Sequence, residues 1–178
     1  MRIAIFHLLL VLPSLLAAAG QRQPAGALPE RFEHKEHGYI VRYPSNYEVM
    51  DGADAQTRVF SSPAEDELDV FRENLAVMVR SYDREVPLEE ARTALKKEME
   101  AKAATLTEES DKVKLGGLAA HRCTWSLKLG GFDLVLVQLV TTVRDRVYVV
   151  TFTFEAGHEA RHQPVARAMV DAFEITYK

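Results

Sequence analysis

Two neighbouring runs leave this chain few options. Residues 132 to 143 read FDLVLVQLVTTV and residues 147 to 154 read VYVVTFTF. In both, apolar side chains stand at odd and at even positions. Leu134, Leu136 and Val140 oppose Val135, Val137 and Leu139, and Val147 and Val149 oppose Tyr148, Val150, Phe152 and Phe154. A strand with one wet face alternates apolar with polar, so these two belong inside a sheet that is covered on each side. Any fold for this chain has to supply both covers.

The rest of the chain offers strands and two helical covers. HGYIVRYP and TRVFSSP read as strands closed by Pro44 and Pro63. AEDELD is an acidic loop, and ENLAVMVRSY is a strand with Leu75, Val77 and Val79 on one side. Leu88, Ala91, Leu95 and Met99 then recur at helical spacing behind Pro87, predicting a helix from about Pro87 to Thr105. Gly116-Gly117 precedes a strand over Leu118 to Leu129, and Gly130-Gly131 is a two-residue hairpin signal. Val165, Ala168, Met169, Ala172 and Phe173 predict a final helix, and Pro164 places its start near His162 to Pro164. The expected product is an α+β domain, a mostly antiparallel sheet sandwiched between helices.

Composition narrows the setting. Met1-Arg2, an apolar run from Ile3 to Leu16 and the small residues Ala17-Ala18-Ala19-Gly20 read as a cleavable secretion signal over residues 1–20. The cleavage point carries no cysteine, which argues against a lipid anchor. Residues 21–31 read as a flexible lead-in and 32–178 as one domain. Removing the signal takes one Arg and no acid, moving the net charge from −4 to −5. A mildly acidic chain without a basic block argues against nucleic acid and against anionic membrane surfaces, and no stable membrane insertion is expected after cleavage. An exported chain, periplasmic or extracellular, is expected. The single Cys123 has no disulfide partner within the chain, and with His121 it falls on the apolar parity of its strand, as inert packing.

One motif demands a decision. His158-Glu159-Ala160-Arg161-His162 is an H-E-x-x-H, which on a helix places two imidazoles where zinc is held and a glutamate where a general base works. Three features weigh against it. Pro164 pushes the helix start beyond His158, no extended third-ligand motif follows, and Arg161 stands between the two histidines. The expectation is therefore a polar helix start, with His158 and His162 kept as the metal candidates. A metal- or small-ligand-binding protein, in the extreme a zinc-dependent hydrolase using residues 158–162, is the alternative. His34 and His37 read as a solvated turn. Glu65, Asp66, Glu67 and Asp69 read as solvated charge, since they lack a calcium-loop glycine and its ligand spacing. No nucleophile motif or phosphate-binding glycine loop occurs, so neither an enzyme nor a cofactor is expected.

The order of elements resembles the PsbP/DcrB/Mog-like superfamily. GYIVRYPSNYEV is similar to that group's opening motif, with Tyr47 where many members carry tryptophan, and FRENLAVMV is similar to one of its strands. PLEEA, LGGLAAHRCTW, VYVVTFTFEA and MVDAFEI follow in the group's order, so the resemblance spans residues 32 to 175. It implies an antiparallel sheet between helices and a role exercised by binding. Members include extrinsic subunits of the photosynthetic oxygen-evolving complex, binders of a small GTPase, and bacterial envelope or secretion accessories. It carries over no catalytic residue. The expected function is that of an exported, non-catalytic accessory protein of the bacterial envelope with a protein partner. Tyr43, Tyr47, Phe71, Arg72 and Asn74 form the candidate contact region, against the plainer expectation that Phe71 and Asn74 shape the turn into a core strand.

Overall fold

The structure is a computed structural model that describes residues 27–177. The expected secretion signal and most of the lead-in lie outside the described residues. Ten strands and two helices follow one another within them as β1 (Glu30–His34), β2 (Tyr39–Tyr43), β3 (Glu48–Asp51), β4 (Thr57–Ser61), β5 (Asn74–Ser81), α1 (Leu88–Ala101), β6 (Thr105–Leu115), β7 (Leu118–Leu129), β8 (Phe132–Val143), β9 (Arg146–Glu155), α2 (Glu159–Asp171) and β10 (Glu174–Ile175). Seven strands make one sheet in the order β3-β4-β5-β9-β8-β7-β6, and β1, β2 and β10 make a second, small sheet. Every pair among these strands is antiparallel.

The two-sided runs sit where their composition requires, β9 at the centre of the large sheet and β8 beside it. On one face Val140, Val147 and Val149 meet Ala91 and Leu95 of α1, and Leu134 and Leu136 join Trp125, Cys123 and Met99. On the other, Tyr148, Val150, Phe152 and Phe154 pack with Met169 and Ala166 of α2 and with Tyr39 and Val41 of β2. Burying one such side chain contributes about 1.5–3 kcal/mol, so a strand buried on both faces gains roughly twice what a half-wet strand of equal length does.

Several expectations need correcting. The second cover is α2, as expected, but the small sheet joins it: Tyr39 and Val41 share one buried cluster with Tyr148, Val150, Ala166 and Met169. β1 starts at Glu30, inside the stretch expected to be a flexible lead-in. β6 is a strand no alternation announced. As an edge strand it is polar on both sides, and two register shifts interrupt its ladder with β7. The first helix stops at Ala101, short of Thr105, since Ala103 turns left-handed at φ 58°. The last helix starts at Glu159, ahead of the position inferred from Pro164, and carries that proline in its interior. The buried positions there are His162, Ala166, Met169 and Phe173, a stripe rotated from the predicted one so that it includes a histidine.

The small sheet is locked in place through the 35–38 turn. Thr176 and Tyr177 donate their N–H groups to the Gly38 carbonyl, Tyr148 Oη donates to the His37 carbonyl at 2.7 Å, and Arg146 donates to that of Glu36 at 2.7 Å. Gly38 adopts φ +64°, and a Cβ there would lie 2.7 Å from that of Tyr177. Gly38→Ala thus adds steric overlap to backbone strain, whereas Gly131→Ala, at φ +92° with nothing within 4 Å, adds strain alone. Thermal denaturation should show the larger fall for Gly38→Ala, at about 2–4 °C for each kcal/mol lost. Equal falls would mean that the contact with Tyr177 contributes nothing.

Candidate functional site

Among the described residues, two clusters of histidine, cysteine and carboxylate side chains are built into the fold. The first lies at the end of the large sheet where β4 finishes, β5 begins and β9 runs into α2. Glu73 precedes β5 on the parity of Leu75, Val77 and Val79, which carries its side chain inward, and it is 1% exposed. His158 and His162 approach it from the first turn of α2. His158 Nδ1 lies 3.3 Å from Glu73 Oε1, and His162 Nε2 lies 3.5 Å from Glu73 Oε2 and 2.9 Å from Glu65 Oε1. Arg161 pairs with the other oxygen of Glu65. Among the described residues Glu73 Oε2 has no hydrogen-bond partner. Burial, with the Glu73 carboxylate nearby, pushes the Tyr47 phenol far above its ordinary range.

The H-E-x-x-H segment is therefore helical where a loop was expected. His158 stands at the N-cap and His162 donates its backbone N–H to the His158 carbonyl at 3.3 Å, so the two imidazoles keep their i,i+4 relation. Pro164 forfeits the bond its N–H would make to the Ala160 carbonyl, one turn back. Contacts of His158, Arg161 and His162 with Glu65 and Glu73 hold that first turn in spite of the loss. The motif's own glutamate takes no part, since Glu159 accepts a hydrogen bond from the Gly157 N–H at 2.8 Å. The carboxylates come instead from far upstream, 85 and 97 residues before their histidines. The one local hint was the parity of Glu73 with a buried strand face.

The acidic loop is more ordered than solvated charge. Asp69 accepts from the Glu65 and Phe71 N–H groups, and Asp66 accepts from that of Leu68. This presents Glu65 to α2 and leaves Leu68 86% and Val70 66% exposed. Of the expected contact residues, Phe71 is buried against Phe132, Met99 and Trp125. Asn74 donates to the Arg72 carbonyl, and Arg72 itself reaches the Ser62 carbonyl and Glu48. Tyr43 and Tyr47 are part-buried against the core.

The second cluster lies under α1 at the opposite edge. His121 and Cys123 share a face of β7, with His121 Nε2 3.1 Å from Cys123 Sγ and His121 Nδ1 2.5 Å from Asp111. The register shift between Ser110 and Val113 sets Asp111 opposite His121. His121 is thus a paired polar group, beyond the inert packing expected of it. The order Asp–His–Cys is that of an activated thiol, but the thiol is fully buried and burial pushes it up to about 11. Lys96 and Arg92 of α1 pair with Glu109 and Asp111 and close the cluster from above. The side chains of His34 and His37 stack at 4.4 Å in their turn, and His37 is buried.

No family model and no curated protein matches the chain. Solved structures do. The cyanobacterial PsbP, CyanoP, of Synechocystis sp. PCC 6803 is 16% identical, with a TM-score of 0.60 over 88% of this chain and 98% of that one. LpqN of Mycobacterium tuberculosis, described as involved in cell envelope biogenesis, is 12% identical, with a TM-score of 0.55 over 83% of this chain and 90% of that one. A Bacteroides thetaiotaomicron protein is 17% identical, with a TM-score of 0.60 over 85% of this chain, which spans only 50% of that one. The likenesses define an α+β sandwich on an antiparallel sheet. More narrowly, the fold is like that of the cyanobacterial PsbP. Among the described residues no helix is long and apolar enough to cross a membrane.

Two outcomes follow from the local chemistry. The buried thiol should resist Ellman's reagent at about pH 8 in the folded protein and react once guanidinium exposes it. Equal rates would mean that α1 does not close the cluster. Burial also lowers the His34 and His37 pKa values below 6.5, with His37 lowering that of His34 in addition. Folding favours the neutral rings, so this stabilisation is present above about pH 6.5 and is lost as pH falls through the folded values. Replacing both by glutamine should flatten that part of the stability profile, measured by urea denaturation against pH. An unchanged slope would refute it.

Proposed function

We propose that the protein is an exported accessory protein of the bacterial cell envelope that acts by binding a protein partner. The observation that carries this reading is the whole-domain likeness to CyanoP and to LpqN, the latter described as involved in envelope biogenesis. The apolar run at residues 3 to 16 supports export. Loops on a rigid sheet are where such folds place recognition, and here the loop between β4 and β5 holds out Leu68 and Val70. Phe71 and Asn74 serve this surface from within, by setting the loop's exit into β5.

A photocrosslinking residue placed at Leu68 in living cells should capture a specific envelope protein, and the same residue at Lys114, at the far end of the sheet, should not. Leu68→Ser with Val70→Ser should abolish the capture while changing stability by no more than about 0.5 kcal/mol per site. Identical crosslinks from both positions, or recovery of the chain from the cytoplasm alone, would sink the proposal.

A further inference from the structure

The end-of-sheet cluster holds a carboxylate that the fold itself leaves incompletely matched. Glu73 is 1% exposed, and its Oε2 lacks a hydrogen bond although two imidazoles bracket it. A carboxylate taken out of water is costly unless it is paired or coordinates a metal. Glu65 and Glu73, both in the connection between β4 and β5, converge with His162 of α2, each offering one ligand atom, and these atoms all lie within 4.8 Å of one another. Zinc bonds of ~2.0–2.2 Å in a tetrahedron separate neighbouring donors by roughly 3.3–3.6 Å. The separations from His162 Nε2 are 3.5 Å to Glu73, within that range, and 2.9 Å to Glu65, a little short of it.

We propose that Glu65, Glu73 and His162 bind one divalent first-row transition-metal ion, zinc fitting best, with His158 positioning Glu73. A dication offsets the two carboxylates while the imidazoles stay neutral, the form in which they ligate. The mixed nitrogen and oxygen donor set suits zinc over calcium or magnesium, which take oxygen alone. Arg161, the cation now on Glu65, has a side chain 65% exposed and can swing into solvent without breaking a core contact. His158 holds Glu73 Oε1 and leaves Oε2 to face His162, as the outer partner of a metal-bound carboxylate does when it orients that ligand. The other histidine-containing cluster is a poorer host, because Lys96 and Arg92 already occupy its carboxylates. The metal site is independent of which envelope partner the chain binds.

Zinc titration of the full chain without a histidine tag, by calorimetry and by competition with a chromophoric chelator, tests this directly. One zinc per chain is expected, with a Kd of about 1 μM or tighter. Glu73→Gln and Glu65→Gln should each weaken binding by more than about 100-fold, and His158→Ala by about 10–100-fold. Glu65 lies on a surface loop, so its variant decides the matter should Glu73→Gln fail to fold. Cobalt in place of zinc should give ligand-field bands without a thiolate charge-transfer band. Failure to bind in this range, binding unchanged in Glu65→Gln, or a charge-transfer band lost in Cys123→Ser would each overturn the proposal.

Discussion

Everything else in this fold accommodates the burial of β8 and β9 on both faces. A central strand pair that is apolar at both parities cannot leave either side wet, since each exposed Val, Leu or Phe forgoes about 1.5–3 kcal/mol. One helix suffices on the side of Val147 and Val149, where the side chains are short and α1 packs directly on them. The side of Tyr148, Phe152 and Phe154 is bulkier, and there α2 shares the cover with a small sheet assembled from both ends of the described chain. Gly38 lets the two ends meet, because only a residue without Cβ permits the approach of Tyr177.

That arrangement also decides where chemistry can reside. The middle of the sheet is filled with apolar contacts, so ionisable groups gather at its edge and its end. At the edge, Asp111, His121 and Cys123 have the partners an activated thiol would need, yet α1 seals them beneath Lys96 and Arg92 and burial holds the thiol protonated. At the end, Glu73 is drawn inward just ahead of β5, Glu65 comes from the same connection, and the histidines come from the first turn of α2. A loop and a helix terminus meeting at a buried carboxylate leave room for the geometry to adapt, and Arg161, the cation in the way, lies largely in solvent.

Likeness in fold to CyanoP and LpqN at 16% and 12% identity speaks to architecture, and function in such scaffolds is written on loops and termini. Among the described residues, the segment 62–73 is the longest connection between strands of the large sheet that contains no helix or strand of its own. It supplies Glu65 to the inner cluster and turns Leu68 and Val70 outward, so one loop joins the carboxylate cluster to the surface proposed for the partner.

Read without the fold, the residues specify the central strands, the first helix, the glycine hairpin and the antiparallel α+β class, because each leaves a local periodicity or turn signal. They are silent on β6, since an edge strand with neither face buried has no alternation to display, and on β10, which is two residues long. They misplace the start of α2, because a proline's local cost is legible while the contacts that offset it lie 85 to 97 residues away. For the same reason H-E-x-x-H looks deficient in ligands. Its missing carboxylates would be sought downstream on the same chain segment, whereas long-range packing, by setting the entrance to β5 against the first turn of α2, brings Glu65 and Glu73 to the histidines.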